Sequence, residues 1–290
     1  MNKFWPDFRL GIRTYFKSFG FIVRNKMMHF YLYPLLFIIL FSVGATAGIG
    51  YINDTVNPWI LDLIGAQPVP GDGWWEITLN FLSNISTYVV SFLVWLIMIY
   101  IFYKISKYVV LIVMSPVMAL ISEKTDAVVT GQSFPFSWKQ LMKDVVRGIR
   151  IALRNFIFEM SITVSLLIVN LFITIFLAPL SVITSPAVLV INFLVSAYYF
   201  GFSTMDYTNE RYRVSFRDSV KKIRAQRGLA VANGGIFALW LMIPILGTFI
   251  GTVFAPVTCT VGATLALLEK REKGAIEGYE LDIDQKSVEG

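Results

Sequence analysis

The sequence has little charge and almost no cysteine. Asp, Glu, Lys and Arg make up 15% of its 290 residues, whereas hydrophobic residues make up 56%. Charged residues make up about a quarter of a typical soluble domain. This composition therefore excludes an ordinary soluble fold and predicts an integral membrane protein. The one cysteine, Cys259, lies inside an apolar run, and a single cysteine excludes an internal disulfide.

Residues that carry enzyme chemistry are also scarce. His29 is the only histidine, and the chain has no nucleophile motif, phosphate-binding loop or ligand spacing typical of a metal site. We therefore expect no catalytic residue, no metal and no cofactor. The net charge of +6 fits cytoplasmic flanks that contact anionic membrane lipid, and nucleic acid is not expected as a partner.

Lysine and arginine are missing from a long internal stretch. None occurs between Lys26 and Lys104, and the acidic residues of this stretch lie in a loop at about 53–85. The positive-inside rule places that loop outside and the N-terminus in the cytoplasm. The apolar stretches on either side, at 30–52 and about 87–114, are each long enough to cross the membrane as a helix.

Two further apolar runs carry no charge at all. They cover residues 160–205 and 228–268, and APLSVITSP at 178–186 and LMIPILGTFIGTVFAP at 241–256 interrupt them. Pro and Gly break these runs without adding charge, and basic segments flank both. We predict two re-entrant helical hairpins that enter from the cytoplasmic side and partly penetrate the membrane. A full double crossing also fits the length of each run.

The last residues differ from the rest in composition. We expect residues 1–273 to form a single membrane domain, and residues 274–290, which are acidic and contain glycine, to form a disordered tail. Because Lys270 and Arg271 close the second hairpin, the C-terminus is predicted to be cytoplasmic like the N-terminus.

The stretch SPVMALISEKTDAVVTG at 115–131 is predicted to begin a new helix. Pro116 suits the first turn of a helix and Ser115 suits the N-cap before it. The free backbone amides at 117–119 would then bind an anion. A start near Ser122, or a plain helix–loop–helix at the surface, remains an alternative. Thr130 and Gly131 are expected to end the element.

Several other residues invite a functional interpretation. His29 could donate to an anion, but a lone histidine at the membrane interface is more often a polar anchor. Arg24 and Lys26 could add to an anion funnel, and they also serve the positive-inside rule. Asp206 is expected to cap the basic helix that follows it. Residues 211–227 read as a basic amphipathic segment. An interfacial N-terminal helix is indicated by its apolar side chains: Trp5, Phe8, Leu10, Ile12, Tyr15, Phe16, Phe19 and Ile22.

Taken together, the chain resembles the CysZ sulfate permeases and their eukaryotic etoposide-induced relatives. The resemblance extends over about residues 8–271 and rests on four blocks in order. These are FYLYPLL at 30–36, SPVMALISEKTDAVVTG at 115–131, MDYTNERYRVSFRDSVKKIRAQR at 205–227 and MIPILGTFIGTVFAPVTCTVGAT at 242–264.

The resemblance implies a fold and an activity. The fold is an all-α integral membrane protein with two long transmembrane helices, two re-entrant hairpins and amphipathic interfacial helices, assembled as a homo-oligomer. The activity is passive or ion-coupled uptake of sulfate or a similar oxyanion across the bacterial inner membrane. The alternative is a non-transporting membrane scaffold or lipid-interacting protein with the same fold.

The resemblance also implies an anion site. The family's Gly-Leu-Leu-Ala-Glu block falls on five consecutive residues, and the family's paired arginines fall on Met28 and His29, which departs from the pattern. Arg24 and Lys26 are the nearby cations that substitute in part. The block residues are Ala119, Leu120, Ile121, Ser122 and Glu123.

Overall fold

The computed structural model describes residues 3–40, 111–132, 138–243 and 250–274, with isolated residues between 55 and 109 and residue 276. Every regular element in these residues is helical. The chain divides into two compact units, residues 1–36 with 110–290 and residues 37–109. The helices of the first unit are α1 (Phe4–Arg24), a 3-10 helix (Met28–Tyr31), α2 (Ser115–Thr130), α3 (Trp138–Phe176), α4 (Ala178–Arg211), α5 (Phe216–Ala225), α6 (Arg227–Met242) and α7 (Thr252–Glu272).

Helices α3 and α4 form a long hairpin with a very short turn. Leu177 alone separates them, and its amide donates to the carbonyl of Ile173 at 2.8 Å. We expected the whole segment 178–186 to interrupt the apolar run, and this is wrong. Pro179 lies in the first turn of α4, where no amide is needed, and Pro186 is accommodated inside the helix.

A ladder of polar side chains joins the two arms of this hairpin. Asn170 contacts Thr184 and Ser185 near the turn. Below it, Thr163 donates to Asn192 at 2.9 Å, Ser196 donates to Glu159 at 2.6 Å and Asn155 donates to Ser203 at 3.1 Å. Most apolar side chains of α3 and α4 lie on the outer face, where they are exposed. The arrangement is that of membrane helices, which pack polar groups against each other and turn apolar groups to lipid.

The base of the hairpin contains a buried ion pair that the sequence did not indicate. Asp206 lies within α4 and accepts from Arg147 of α3 at 3.0 Å and from the hydroxyl of Ser219 on α5. The expectation that Asp206 caps the following helix is therefore wrong. Ser215 caps α5 instead, and its hydroxyl accepts from the amide of Asp218 at 3.2 Å.

Helices α4 and α6 cross at backbone contact. A Cβ on Gly201 would lie 1.9 Å from the carbonyl oxygen of Ala230, and a Cβ on Gly234 would lie 1.9 Å from that of Ala197. Each helix therefore offers a pair of small residues spaced by four, and the pairs face each other. This small-residue spacing is common where membrane helices pack closely, because it lets the backbones approach.

Helix α1 packs a mostly polar or small face against the protein. Its buried residues are Asp7, Gly11, Thr14, Tyr15, Ser18 and Ile22. Lys270 of α7 donates to the buried Asp7 at 2.8 Å. On the outer face Trp5 and Phe16 are 62% and 64% exposed. Of the eight apolar residues expected to face the interface, Tyr15 and Ile22 instead lie in the core.

Three helices in the described part of the chain are long and apolar enough to cross a membrane: α3 over Val145–Phe176, α4 and α7. Helix α7 is surrounded by protein, whereas α3 and α4 are largely open. Most of the expected helices at 30–52 and 87–114 lie outside the described residues, as do the breaks at Pro244 and Gly247 and most of the tail 274–290.

The α4–α6 contact gives a sharp prediction. Gly234→Ala places a methyl group on the carbonyl of Ala197, and we expect it to lower the free energy of unfolding by about 3 kcal/mol. The neighbouring Gly235→Ala is a matched control, since its Cβ would make an ordinary 3.7 Å contact. Thermal unfolding in detergent measures both. Equal stability of the two variants would contradict the backbone contact.

Candidate functional site

The block at 115–131 forms one helix with a defined start and end. Helix α2 begins at Ser115, but Met114 takes the N-cap position and no side chain caps it. The amide of Met118 donates to the carbonyl of Met114 at 2.9 Å, so the prediction of a free amide there is wrong. The end was predicted correctly, because Gly131 adopts a left-handed conformation with φ of 72° after Thr130.

Helix α4 holds α2 through its last turns. Arg211 donates to the carbonyl oxygen of Ala119 at 3.1 Å and lies 3.9 Å from the carboxylate of Glu123. Arg211 therefore bridges a backbone carbonyl and a carboxylate of α2, and it fixes the face of α2 that turns toward the protein. Leu120 is half-buried next to this contact, and Ile121 is fully buried.

Ser122 belongs to a buried cluster of three hydroxyl groups. Its Oγ lies 3.4 Å from Oγ1 of Thr208 on α4 and accepts from Thr264 on α7 at 3.2 Å. Thr208 and Thr264 are themselves 3.1 Å apart, and none of the three residues is exposed. Because these hydroxyls bind one another, the side chain of Ser122 joins α2 to α4 and α7.

Asp126 makes the last contact of α2 with the protein. Its carboxylate is fully buried and accepts from the hydroxyl of Tyr212 at 2.6 Å and from Thr130 at 3.1 Å. Arg271 of α7 donates to the same tyrosine oxygen at 2.9 Å. Burial, and next the hydrogen bond to Asp126, raise the pKa of Tyr212, which therefore remains a hydrogen-bond donor at physiological pH.

The residues predicted to attract an anion, Arg24, Lys26 and His29, lie at the end of α1 and in the tight turn that follows it. The amides of Lys26 and Met27 donate to the carbonyls of Val23 and Ile22, at 3.3 and 2.9 Å. This is a Schellman ending, in which Lys26 occupies the left-handed position with φ of 56° that glycine usually takes. Met27 is buried, which anchors the turn, while Lys26 and Met28 are exposed.

His29 is oriented by this turn. Its Nδ1 lies 3.1 Å from the carbonyl oxygen of Lys26. Since a carbonyl oxygen only accepts, Nδ1 carries the proton, and Nε2 is the nitrogen available to other groups. Arg24 donates from Nε to the carbonyl of Gly20 at 3.3 Å. Arg24, Lys26 and His29 are all exposed, so the turn presents its cationic groups to solvent.

The contacts described for the predicted site residues fall into two groups. Residues of the 119–126 segment contact α4 and α7, whereas Arg24 contacts a carbonyl of α1 and His29 contacts a carbonyl of the turn. Sequence reasoning missed the partners of α2, namely Thr208, Arg211 and Tyr212. Arg211 and Tyr212 lie three and four residues after Thr208 at the end of α4, and this spacing indicates one helix face. Among the described residues, no cluster of three His, Cys, Asp or Glu side chains could hold a metal.

These features define a class of protein: an all-helical integral membrane protein with polar contacts between apolar helices. The chain belongs to the family described as Sulfate transporter CysZ/Etoposide-induced protein 2.4, whose model matches residues 14–251. This confirms the resemblance on which the sequence analysis relied.

Individual relatives cover most of the chain at low identity. One, named sulfate transporter CysZ, from Pectobacterium atrosepticum, is 23% identical over 257 residues, which cover 88% of this chain and 83% of the relative. Another of the same name, from Pseudomonas aeruginosa strain LESB58, is 23% identical over 260 residues, covering 88% and 94%. The names describe transporters, so the comparisons favour a function other than catalysis.

The hydrogen bond from Tyr212 to Asp126 can be tested by substitution. Tyr212→Phe leaves a buried carboxylate without its strongest donor, and we expect the free energy of unfolding to fall by about 1.5–3 kcal/mol. Tyr207→Phe is the matched control, because its hydroxyl donates to the neutral carbonyl of Leu111 at 3.2 Å, and its cost is expected near 1 kcal/mol. Detergent unfolding curves that show a larger loss for Tyr207→Phe would refute the assignment.

Proposed function

We propose that the protein is an oxyanion permease, with sulfate or a closely similar anion as its substrate. Uptake would be passive or ion-coupled and would cross the bacterial inner membrane, with both termini in the cytoplasm and a homo-oligomer as the working form. The observation that carries the proposal is the family match over residues 14–251. The structure supports it with exposed basic residues near the open end of the α3–α4 hairpin, such as Arg213 and Arg224.

The α3–α4 hairpin supports a re-entrant arrangement. At its turn, Phe176 and Ile183 are both 71% exposed, and Leu177 and Leu180 are exposed beside them. A turn surrounded by apolar side chains is more stable in hydrocarbon than in water. Its backbone also permits this, because the amides of Leu177 and Leu180 are both hydrogen-bonded. On this basis the hairpin ends inside the membrane.

Helix α6 supports the same arrangement for the second hairpin. Its 16 residues correspond to about 24 Å, which is less than the roughly 30 Å of hydrocarbon in a bilayer. Helix α7 is longer, but protein covers most of it. A short arm paired with a covered arm fits partial penetration, with α1 lying on the membrane surface through its exposed aromatic face.

The anion site is proposed to combine the cationic turn with the α2 block. Arg24, Lys26 and His29 supply charge, and Met28 leaves the turn with a thioether where the family has an arginine. Within the block Ala119 to Glu123, Ala119, Leu120 and Glu123 are half-buried, and Arg211 contacts the carbonyl of Ala119 and the carboxylate of Glu123. Ile121 and Ser122 are fully buried, so we assign them to positioning α2.

A second candidate function is a non-transporting scaffold that binds anionic lipid. The observation that favours it is the outer face of α1, where exposed Trp5 and Phe16 lie on the same helix as Arg9, Arg13 and Lys17. Aromatic and basic residues on one helix are typical of interfacial membrane binding. A scaffold protein would have the same fold and would transport no solute.

Uptake of labelled sulfate into proteoliposomes separates the two functions. We expect saturable uptake that sulfite and phosphate inhibit. Well-folded protein that moves none of the tested anions, in liposomes with or without anionic lipid, would refute the permease and leave the scaffold.

The cationic turn is tested in the same assay. Arg24→Ala is expected to raise the half-saturating sulfate concentration about threefold to tenfold, because one charged hydrogen bond is worth about 1 kcal/mol at an exposed site. Lys221→Ala, on α5, removes a similarly exposed charge and serves as the control. An equal response of both variants would show a general charge effect and would remove the turn from the site.

A further inference from the structure

Arg154 of α3 is held in an unusual environment. Its guanidinium carbon lies 5.1 Å from the ring centroid of Phe158 and 5.1 Å from that of Phe202 on α4. One of its nitrogens donates to the side-chain oxygen of Asn155 at 2.8 Å. These contacts fix the plane of the guanidinium at the base of the polar ladder, where Arg154 is half-buried.

Two more arginines act electrostatically on Arg154 or on Tyr198 of α4. Arg224 on α5 is near enough to Arg154 for the two charges to repel each other. Tyr198 of α4 lies within the electrostatic reach of Arg154, Arg224 and Arg227 together. The packing agrees, because Ile223 shares a buried cluster with Phe202, and Tyr198 packs against the same cluster. Arginines of α3, α5 and α6 thus bring positive charge around the phenol of Tyr198 on α4.

The nearby carboxylates form hydrogen bonds or ion pairs with other groups, and the charge of Asp206 also acts on Arg154. Asp206 accepts from Arg147 and Ser219, and Glu159 accepts from Ser196. In the part of the chain that the structure describes, no carboxylate pairs with Arg154, Arg224 or Arg227. Because Arg154 is half-buried and Arg224 adds a like charge beside it, a bound counter-ion would relieve their repulsion.

We infer that Arg154, Arg224, Arg227 and Tyr198 form an oxyanion-binding site, separate from the cationic turn and the α2 block. Its ligand is a tetrahedral oxyanion with at least one negative charge. Arg154 offers a planar fork of donors, Arg224 and Arg227 add charge from the exposed side, and the Tyr198 hydroxyl adds a donor. The inference does not rest on transport, since it concerns binding alone.

Two kinds of ligand, a free oxyanion and a phospholipid headgroup, carry the charged group that this site would bind. A free sulfate or phosphate would reach the site from water, past the exposed Arg224 and Arg227. A phospholipid headgroup would reach it from the membrane, because Ile157 and Phe158 form an exposed apolar surface beside Arg154. The site requires the phosphate or sulfate group in either case, and the experiment distinguishes the two sources.

Native mass spectrometry of the full-length protein counts the bound anions. The probes are sodium sulfate in one arm and phosphatidylglycerol, with phosphatidylcholine as the neutral lipid, in the other. We expect Arg154→Gln and Arg224→Gln each to weaken binding of one anion per protomer at least about tenfold. Tyr198→Phe is expected to weaken it less. Arg154→Lys, which keeps charge but loses the planar fork, is expected to lie between Arg154→Gln and the unaltered protein.

Arg217→Gln is the matched control. It removes an arginine from the same exposed helix, about 10 Å along α5 from Arg224, and is expected to bind as the unaltered protein does. A selective loss in the sulfate arm assigns the site to a free oxyanion, and a selective loss in the lipid arm assigns it to a headgroup. Because Arg224 is exposed, its substitution does not threaten folding. Unchanged binding of both probes by Arg224→Gln, or an equal loss in Arg217→Gln, overturns the inference.

Discussion

The close crossing of α4 and α6 is the contact on which the rest of the described structure depends. Gly201 and Gly234 let the two backbones meet, and this brings Asn233 within 2.9 Å of both Thr204 and the carbonyl of Cys259 on α7. The last turns of α4, once placed in this way, carry the side chains that hold α2, α3 and α5. A methyl group at the crossing would therefore disturb contacts far from it.

Helix α4 changes its role along its length. Near the turn at Leu177 it is apolar on its outer face and polar only toward α3. In its middle it supplies Asn192 and Ser196 to the ladder. At its end, Asp206 and Arg211 are charged and buried. The ion pairs thus lie at the base of the hairpin, Glu159 lies further along it bonded to Ser196, and the rungs nearest the turn are neutral, as the cost of placing charge in hydrocarbon favours.

Part of this organisation could be read from the sequence. The uncharged runs, the basic flanks and the end of α2 at Gly131 can each be recognised from a single kind of residue. The structure contains the corresponding helices and the helix end. The ladder was missed because the polar residues of 160–205 were counted as an uncharged run. Asn155, Glu159 and Thr163 recur every four residues, which is the spacing of one helix face.

Other features depend on partners distant in the chain. Asp206 looked like a cap because a basic helix follows it, yet its partner Arg147 is 59 residues away. Helix α1 was expected to turn eight apolar residues to the interface, yet Tyr15 and Ile22 are buried beside Thr14 and Ser18. Hydrophobicity alone does not tell which face meets lipid when buried polar groups bond one another. The site itself joins residues from separate helices, so its geometry stays a proposal.

We infer that the α3–α4 hairpin ends inside the membrane. The most direct test is labelling by a membrane-impermeant maleimide of Leu177→Cys, compared with Arg224→Cys, each made in a Cys259→Ala background. We expect Arg224→Cys to react only from the cytoplasmic side, in inverted vesicles, and Leu177→Cys to react from neither side. Rapid labelling at the turn from the outer side, in intact spheroplasts, would contradict the account and show that the hairpin crosses the membrane fully.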